Sequence, residues 1–512
     1  MPTLIAILVT VVFPRLVLLN VSVIDWDESI FALIAQQWTF GHVPHETVFD
    51  HKPIGLYTIF AAFFLALGDT IHAIRLIPIV FVAGTAALLA RLAQLHFGGD
   101  RLLGGFVAAI YGLMTLTNGG LATNTEILIN FFVVLSIYVI VSRELDRSAS
   151  LPGSLVVGAS LAMATQVNYL AAIVVAGVGG FYLAWSTTTI RIRGWTRFYR
   201  VNGSYMLAGF LLMTIIVHLP VALFGDLSDY FALKFRYLTG YPGVEDAGVA
   251  VRRVSEALTA YWPFVTLSLL LAFWAIPPRR LPQFHGSMEQ PGADRRIVAW
   301  IVLGAFALAT ALASRRFYQH FFLFTVPALV MLSAAFLRLA CPAGRLRDFC
   351  ALWLLLMAGT DALNAREDWV RGYRAQLRVL DGLPADAIAA TGEYLAKRLH
   401  PGETIYVYDS EPILYFMTRT VPPTRFAFPD THLKPEVAGR LGFTPEQAVM
   451  GILGHRPRFI VVGPRPDEVQ LTPAGRLLHD ALAREYAPVK GDDAPARPAI
   501  YERIRLTAHS GD

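Results

Sequence analysis

Residues 203–224 read GSYMLAGFLLMTIIVHLPVALF, 22 residues without a charged side chain. A helix that crosses a bilayer needs about 20 mostly apolar residues. Ten further apolar runs occur, so we predict eleven membrane helices in all, at 2–22, 72–92, 102–118, 126–142, 152–166, 169–185, 203–224, 259–276, 297–313, 321–338 and 349–364. The sequence therefore predicts a polytopic α-helical membrane protein.

The composition agrees with this fold class. The 512 residues are 55% hydrophobic and 16% charged, with a mean hydropathy of +0.50, whereas soluble domains carry about 25% charged residues. These values exclude a disordered chain and a soluble multidomain enzyme. The net charge of +5 does not indicate nucleic-acid binding, because the basic residues fall between apolar runs. The two cysteines, Cys341 and Cys350, suggest no disulfide framework.

The distribution of Lys and Arg predicts the orientation. One set of loops holds 15 of these residues and the opposite set holds 8, and the richer side is usually cytoplasmic. The amino terminus is then inside, and everything after about residue 365 is outside. The first run could be a signal peptide, but it lacks a basic start and a cleavage motif, so we expect a retained helix. The Arg- and Ala-rich composition fits a bacterial inner membrane with a periplasmic exterior.

Three segments lie outside the membrane in this topology, at 23–71, 225–258 and 366–512. The last is far more polar than residues 1–365, which form the predicted membrane domain. It alternates strand-like runs with helical stretches (404–408 and 458–462 against 381–399, 444–454 and 473–485). This pattern predicts a small extracytoplasmic α/β domain.

The first outer segment carries three carboxylates, on Asp25, Asp27 and Glu28. Apolar residues follow at helical spacing to Trp38, which predicts an amphipathic helix in the membrane interface. Asp25 with Glu28 resembles a helix-capping box, and Asp27 could itself be the cap. A cap does not need three acids, however. A carboxylate beside two others has a raised pKa, which suits a general base.

A lone lysine follows in Asp50-His51-Lys52-Pro53. A second helix is predicted at 53–67, closed by Gly68. The Lys52 ammonium is a candidate phosphate-binding group, or it could extend to the membrane surface. His51 and Asp50, with His320, could alternatively assemble a divalent metal site.

Further candidate residues lie at the outer ends of later helices. Glu126 could bind sugar hydroxyls or the acceptor, or cap its helix. The segment Ser314-Arg315-Arg316-Phe317-Tyr318-Gln319-His320 could contact phosphate or anchor a helix end. Arg15, inside the first apolar run, could pair with Asp25 or with a phosphate; both remain open.

These motifs in this order resemble the GT-C glycosyltransferases that use polyprenyl-phosphate sugars, such as protein O-mannosyltransferases and the aminoarabinose transferase acting on lipid A. The acidic residue that this family carries directly before the lysine is His51 here, with Asp50 one step earlier. The resemblance implies an inverting transfer to an acceptor hydroxyl, with Asp27 as the catalytic base. The substrate-binding residues it implies are Glu28, Asp50, His51, Lys52, Glu126, Arg315, Arg316, Tyr318 and His320.

The implied partners are a polyprenyl-phosphate sugar donor, an extracytoplasmic acceptor (lipid A, polysaccharide or protein) and the lipid bilayer. No metal is firmly expected, since a monophosphate leaving group flanked by Lys and Arg does not demand one. The main rival hypothesis is a transporter or flippase, although the chain lacks an internal repeat and its unusual charges lie on one side. A non-catalytic scaffold would leave the acidic loop unexplained.

Overall fold

The structure is a computed structural model. It describes residues 1–97, 100–146, 151–186, 195–239, 246–275, 293–341, 344–463, 466–489, 495 and 498–504. The loops at 187–194 and 276–292, which contain several of the arginines used to predict orientation, lie outside the described residues, as does 240–245 of the second outer segment.

The chain is mainly helical. Its first part contains α1 (Pro2–Ile7), α2 (Phe13–Leu16), α3 (Trp26–Thr39), α4 (Ile54–Leu67), α5 (Ile71–Phe97), α6 (Arg101–Met114), α7 (Thr125–Asp146), α8 (Leu151–Val167), α9 (Ala171–Ser186), α10 (Trp195–Phe224), α11 (Leu227–Thr239), α12 (Ala247–Thr259), α13 (Trp262–Ala275), α14 (Ala293–Ala313), α15 (Val326–Ala335) and α16 (Arg345–Ala362). Short π or 3-10 turns occur at Leu8–Val12, Gln319–Thr325, Phe336–Ala340 and Leu363–Ala365.

Five helical segments are long and apolar enough to cross a membrane, or six if the bent pair α12–α13 is one span, within the described part of the chain. The five are Ile71–Phe97, Thr125–Ser142, Val201–Phe224, Arg295–Ala313 and Gln319–Arg338, and each coincides with a predicted span. Shorter apolar helices occupy five further places, among them Pro2–Leu16 and Leu151–Val167. The protein is a membrane protein, and the count of eleven spans stays a prediction.

The buried Arg15 does not pair with Asp25 and is held by backbone and hydroxyl oxygens, while its Nε has no acceptor in the described part of the chain. One of its terminal nitrogens donates to the Thr115 carbonyl at 2.8 Å, to the Thr115 hydroxyl at 3.1 Å and to the Gly120 carbonyl at 3.0 Å. A guanidinium in a low-dielectric surrounding requires such acceptors. Arg15 therefore ties the first helix to the turn after α6.

The helix α3 is covered by protein on all sides. Its residues from Glu28 to Gln37 are buried, so α3 does not present an apolar face to lipid as an amphipathic surface helix would, and its position at the membrane interface stays a prediction. Its polar side chains find partners inside the protein. Gln36 donates to the Phe416 carbonyl at 3.0 Å, and Gln37 donates to the Thr420 carbonyl at 3.4 Å.

The second outer segment is largely helical. It forms α11 and α12, and the chain bends by 86° between α12 and α13. The prediction that the next apolar helix starts near residue 259 agrees with α13, but α12 was not predicted. It presents Arg252, Arg253 and Glu256 to a cleft that is described below.

The last part of the chain contains a four-stranded sheet with flanking helices. Its elements are α17 (Arg366–Leu380), α18 (Ala387–Ala396), β1 (Ile405–Tyr408), α19 (Ile413–Thr418), α20 (Pro429–His432), α21 (Pro435–Leu441), α22 (Pro445–Gly454), β2 (Phe459–Val462), a 3-10 turn Pro466–Leu471, α23 (Pro473–Glu485), β3 (Tyr486–Pro488) and β4 (Ala499–Arg503). The strand order is β1-β2-β4-β3, and only β1 and β2 are parallel. The two predicted strands and the helices at 444–454 and 473–485 are confirmed, and the helix predicted at 381–399 is shorter, at Ala387–Ala396. The elements α17, α19, α20, α21, β3 and β4 were missed, and the domain boundary at 365/366 stays a prediction.

Candidate functional site

The carboxylate of Asp25 caps helix α3. It accepts a hydrogen bond from the Asp27 backbone N–H at 3.0 Å, and Glu28 reaches back to the Asp25 N–H at 3.4 Å, which completes a capping box. This reciprocal pattern satisfies backbone donors at the helix start. Capping is thus confirmed for Asp25, and Asp27 has no capping bond.

Glu28 is occupied by structural partners. Its carboxylate receives both terminal nitrogens of Arg75, at 2.6 and 2.7 Å, with both side chains buried. It also accepts from the Ile24 N–H at 2.7 Å and the Thr123 N–H at 3.1 Å. Burial opposes ionisation, but the Arg75 guanidinium holds the pKa of Glu28 below its usual value. Glu28 therefore joins α3 to α5 and to the start of α7.

Asp27 is the one acid of the three without a structural partner among the described residues. It is surrounded by protein yet remains partly exposed, as expected for a side chain beside a cleft. Burial and the nearby Asp25 carboxylate raise the pKa of Asp27 to about 7. The charges of Asp50, Glu126 and Lys52 also act on it. A carboxyl group that titrates near neutrality is suited to accepting a proton.

Asp50 is held by its neighbours in the segment before α4. It accepts hydrogen bonds from the Tyr57 hydroxyl at 2.8 Å and the His51 N–H at 2.7 Å, and the His51 Nδ1 lies 2.9 Å away. Although burial would raise it, the charge and hydrogen bond of His51, aided by Lys52, hold the pKa of Asp50 below its usual range. Asp50 thus remains an anion that orients this segment.

The Lys52 side chain is buried, with 7% of the residue exposed. Within the described ranges its ammonium has no hydrogen-bond acceptor and no ion-pair partner. Its charge nevertheless acts on Asp25 and Asp27 and on His320. A charged group on a mostly buried side chain is costly when no counter-charge is near it, so this arrangement favours an anionic ligand.

A second lysine, Lys234 of α11, supports this segment, although it is not among the site residues predicted from the sequence. Its ammonium donates to the Asp50 carbonyl at 3.2 Å and to the Lys52 carbonyl, and it lies 4.7 Å from the centre of the Tyr230 ring. Burial lowers the pKa of Lys234 to about 7. The His51 ring stacks on the ring of Tyr237, another residue of α11, with the ring centres 4.9 Å apart. The second outer segment therefore fixes the backbone around Lys52.

Glu126 is fully buried in the first turn of α7. One carboxylate oxygen accepts the Thr125 hydroxyl at 2.9 Å, and the other has no partner in the part of the chain that the structure describes. Its charge reaches both Asp27 and His320. Since buried polar atoms are normally hydrogen-bonded, the free oxygen is a candidate for contact with a substrate.

A cleft opens beside Asp25. It consists of two adjoining cavities of about 420 and 410 Å³ that share five lining residues: Asp25, Asn118, Gly119, Glu256 and Gln319. The backbone of Gly119 has φ of +75°, and a Cβ there would come within 3.3 Å of His320, so a larger residue would narrow the passage. Asp27 and Lys52 line neither cavity and lie in the protein beside Asp25.

One cavity of this cleft is basic and aromatic. Tyr318 and His320 line it together with Arg252 and Arg253 of α12. The Arg253 guanidinium lies 4.9 Å from the centre of the Tyr318 ring and donates to the Arg316 carbonyl at 2.8 Å. Arg315 is exposed, and neither Arg315 nor Arg316 lines the cleft. Arg252 and Arg253, which do line it, were missed because nothing in the sequence relates α12 to residue 318.

The described residues contain no group of three His, Cys, Asp or Glu side chains arranged to hold a metal ion. His51, Asp50 and His320 therefore do not form the divalent site that was considered from sequence. His51 contacts the Asp50 carboxylate directly, whereas His320 lines the basic cavity of the cleft.

Comparison with solved structures gives the fold. ArnT from Cupriavidus metallidurans bound to undecaprenyl phosphate matches with a TM-score of 0.60 and 13% identity over 98% of both chains. Its apo state matches with a TM-score of 0.57 and 14% identity over 96% of both. The arabinofuranosyltransferase AftD from Mycobacteria matches at 0.50 and 15% identity, over 98% of this chain and 40% of AftD. The chain has the GT-C fold.

The predicted GT-C resemblance is thus confirmed at the level of the fold. No protein-family model matches the chain, and no curated protein sequence matches it significantly. In this GT-C fold, Asp27, Lys52, Asp50 and Glu126 form one electrostatic group. The group brings together a carboxyl group that titrates near neutrality and an ammonium without an acceptor in the described ranges, a combination suited to accepting a proton and to stabilising negative charge.

Proposed function

We propose that the protein is an inverting glycosyltransferase that moves a sugar from a polyprenyl-phosphate donor to an acceptor hydroxyl. The observation that carries this proposal is that two charged groups, which act on each other electrostatically, both lack structural partners among the described residues. These are the Asp27 carboxylate, with a pKa of about 7, and the Lys52 ammonium. Every other charged group of the first outer segment named above is occupied by protein.

In this reaction Asp27 takes the proton of the acceptor hydroxyl. The oxygen forms a bond to the anomeric carbon while the bond from that carbon to the phosphate oxygen breaks. The electron pair goes to the phosphate, so negative charge grows there. Lys52 stabilises that charge, as fixed cations do in other sites of developing negative charge. A single displacement from the opposite face inverts the anomeric centre.

Two further groups of residues complete the proposed site. The carrier phosphate lies between Lys52 and the cavity with Arg253, Tyr318 and His320, since the charge of Lys52 acts on His320, and Arg315 and Arg316 lie beside that cavity. Glu126 binds sugar or acceptor hydroxyls through its unpartnered oxygen. Asp50 and His51 hold the Lys52 segment, and Glu28 holds α3. Asp50 and Glu28 therefore position other residues of the site more than they contact the substrate.

The carrier is supported by the structural neighbour, since the ArnT structure contains undecaprenyl phosphate. We propose the same chemical class of lipid for this chain. The predicted topology puts the cleft on the periplasmic side of a bacterial inner membrane. The acceptor is then a lipid, polysaccharide or protein of the cell envelope.

The test is a single-turnover assay with membranes and a radiolabelled polyprenyl-phosphate sugar. The wild type should release free polyprenyl phosphate and label an envelope glycan, and Asp27→Asn should do neither at normal expression. The matched control is Asp100→Asn, because Asp100 caps α6 through the Leu102 N–H at 2.8 Å, outside the site. Movement of labelled lipid across vesicles without release of polyprenyl phosphate would instead support a flippase.

A further inference from the structure

Another cavity, separate from the two cavities of the cleft, lies between α17 and the start of α18. It measures about 980 Å³. Four arginines of α17 line it, Arg366, Arg371, Arg374 and Arg378, against the two acids Glu367 and Asp386. We call it the arginine groove. It has no part in the transfer reaction proposed above.

The charge of the arginine groove is only partly compensated. Asp386 is engaged by Ser22, whose N–H and hydroxyl donate to it at 2.9 and 2.8 Å. Arg371 pairs with Asp368 at 2.8 Å, and Arg378 donates to a backbone carbonyl. The guanidinium groups of Arg366 and Arg374 are exposed and have no acceptor in the described ranges. The groove is therefore complementary to an anion.

The same helix exposes large apolar side chains next to the arginines. Tyr373 is 62% exposed and Leu380 is 81% exposed, and Val370 and Leu377 are exposed as well. The preceding helix α16 exposes Phe349, Leu352 and Leu356, as a helix facing lipid does. The turn Leu363–Ala365 joins the two helices directly. Here α17, which carries arginines and exposed apolar residues, directly follows the apolar helix α16. This arrangement is typical of the membrane interface.

We propose that the arginine groove binds the phosphate headgroup of an anionic glycerophospholipid in the leaflet where α16 ends. Arginine forks match the phosphate oxygens, and each basic side chain near an anionic surface strengthens the attraction. The apolar flank contacts the acyl chains, which a soluble phosphate lacks. The helix α17 would then contact the lipid on one side and the cleft on the other. Arg371 of the groove pairs with Asp368, and Asp368 lines the second cavity of the cleft.

The test uses the full-length protein purified in a neutral detergent. The thermal midpoint is measured during titration with phosphatidylglycerol, and the same titration is repeated with phosphatidylcholine and with inorganic phosphate. Phosphatidylglycerol should raise the midpoint with saturation, and phosphatidylcholine should not. The double variant Arg366→Ala/Arg374→Ala should bind it about 30-fold more weakly. Added salt should weaken binding to the wild type.

The matched control is Arg440→Ala/Arg476→Ala, two exposed arginines of α21 and α23, which should bind as the wild type does. A charge-keeping variant, Arg366→Lys/Arg374→Lys, should retain most of the binding and guards against misfolding of the alanine variant. Equal stabilisation by phosphatidylcholine, or undiminished binding in the alanine variant, would overturn the proposal. Saturable binding of inorganic phosphate with the same affinity would also overturn it, by assigning the groove to a soluble anion.

Discussion

The Asp25→Asn variant gives a direct test of Asp27 as the base. Asparagine caps a helix about as well as aspartate does, so the variant keeps the bond to the Asp27 N–H and removes one negative charge. After burial, that charge is the largest cause of the raised pKa of Asp27, which is about 7 against 3.8 for a free aspartate. Its removal should lower the pKa of Asp27 by about one pH unit.

The expected change is visible in the acidic limb of the activity. A base must be deprotonated, so wild-type kcat/KM should fall about tenfold for each pH unit below 7. At pH 5.5 the deprotonated fraction is about 3% for a pKa of 7 and about 24% for a pKa of 6. Relative to its own plateau, Asp25→Asn should therefore be about eightfold more active than the wild type at this pH.

The measurement is release of polyprenyl phosphate from pH 5 to pH 8.5, normalised to each plateau. Asp100→Asn is the control, since it also exchanges a capping aspartate but lies outside the site. An unchanged limb in Asp25→Asn, or wild-type activity that stays constant down to pH 5, would refute the assignment of Asp27 as the titrating base.

Three further predictions follow from the geometry. Lys52→Ala should lower kcat by about 10²–10³ with a smaller loss in Lys52→Arg; an unchanged single-turnover rate would contradict its role on the phosphate. Arg75→Met leaves Glu28 buried and unpaired, so thermal unfolding of the purified protein should show a loss of about 3–5 kcal/mol; an unaltered midpoint would contradict this. Glu411 accepts the Trp26 indole N–H at 2.6 Å, so Glu411→Ala should reduce kcat with little effect on donor KM, and Glu411→Gln should restore it; equal loss in both would contradict a positioning role.

The features that the sequence could predict are those that depend on residues close together in the chain. The capping box of Asp25 and Glu28 depends on residues three apart, and the end of α4 depends on Gly68, which adopts φ of +83°. The strands β1 and β2 are short, uniformly buried apolar runs. Each of these signals is contained within a few neighbouring residues.

The contacts that sequence could not predict join distant parts of the chain. Arg75 lies 47 residues from Glu28, and Lys234 lies 182 residues from the carbonyl of Lys52. The strand β3 has only three residues, too few to show a periodicity. Likewise, the sequence pattern of α3 fits a helix on a membrane surface as well as it fits a helix buried in protein. Its polar residues do not show that Gln36 and Gln37 will donate to the carbonyls of Phe416 and Thr420.

The bonds that Trp26, Gln36 and Gln37 make to Glu411, Phe416 and Thr420 have a consequence for biosynthesis. These partners leave the ribosome almost 400 residues after α3 does. During that interval the nascent chain carries α3, and with it the proposed base Asp27, without the bonds that hold this helix. The proposed site can therefore assemble only after residues 411–420 have been synthesised.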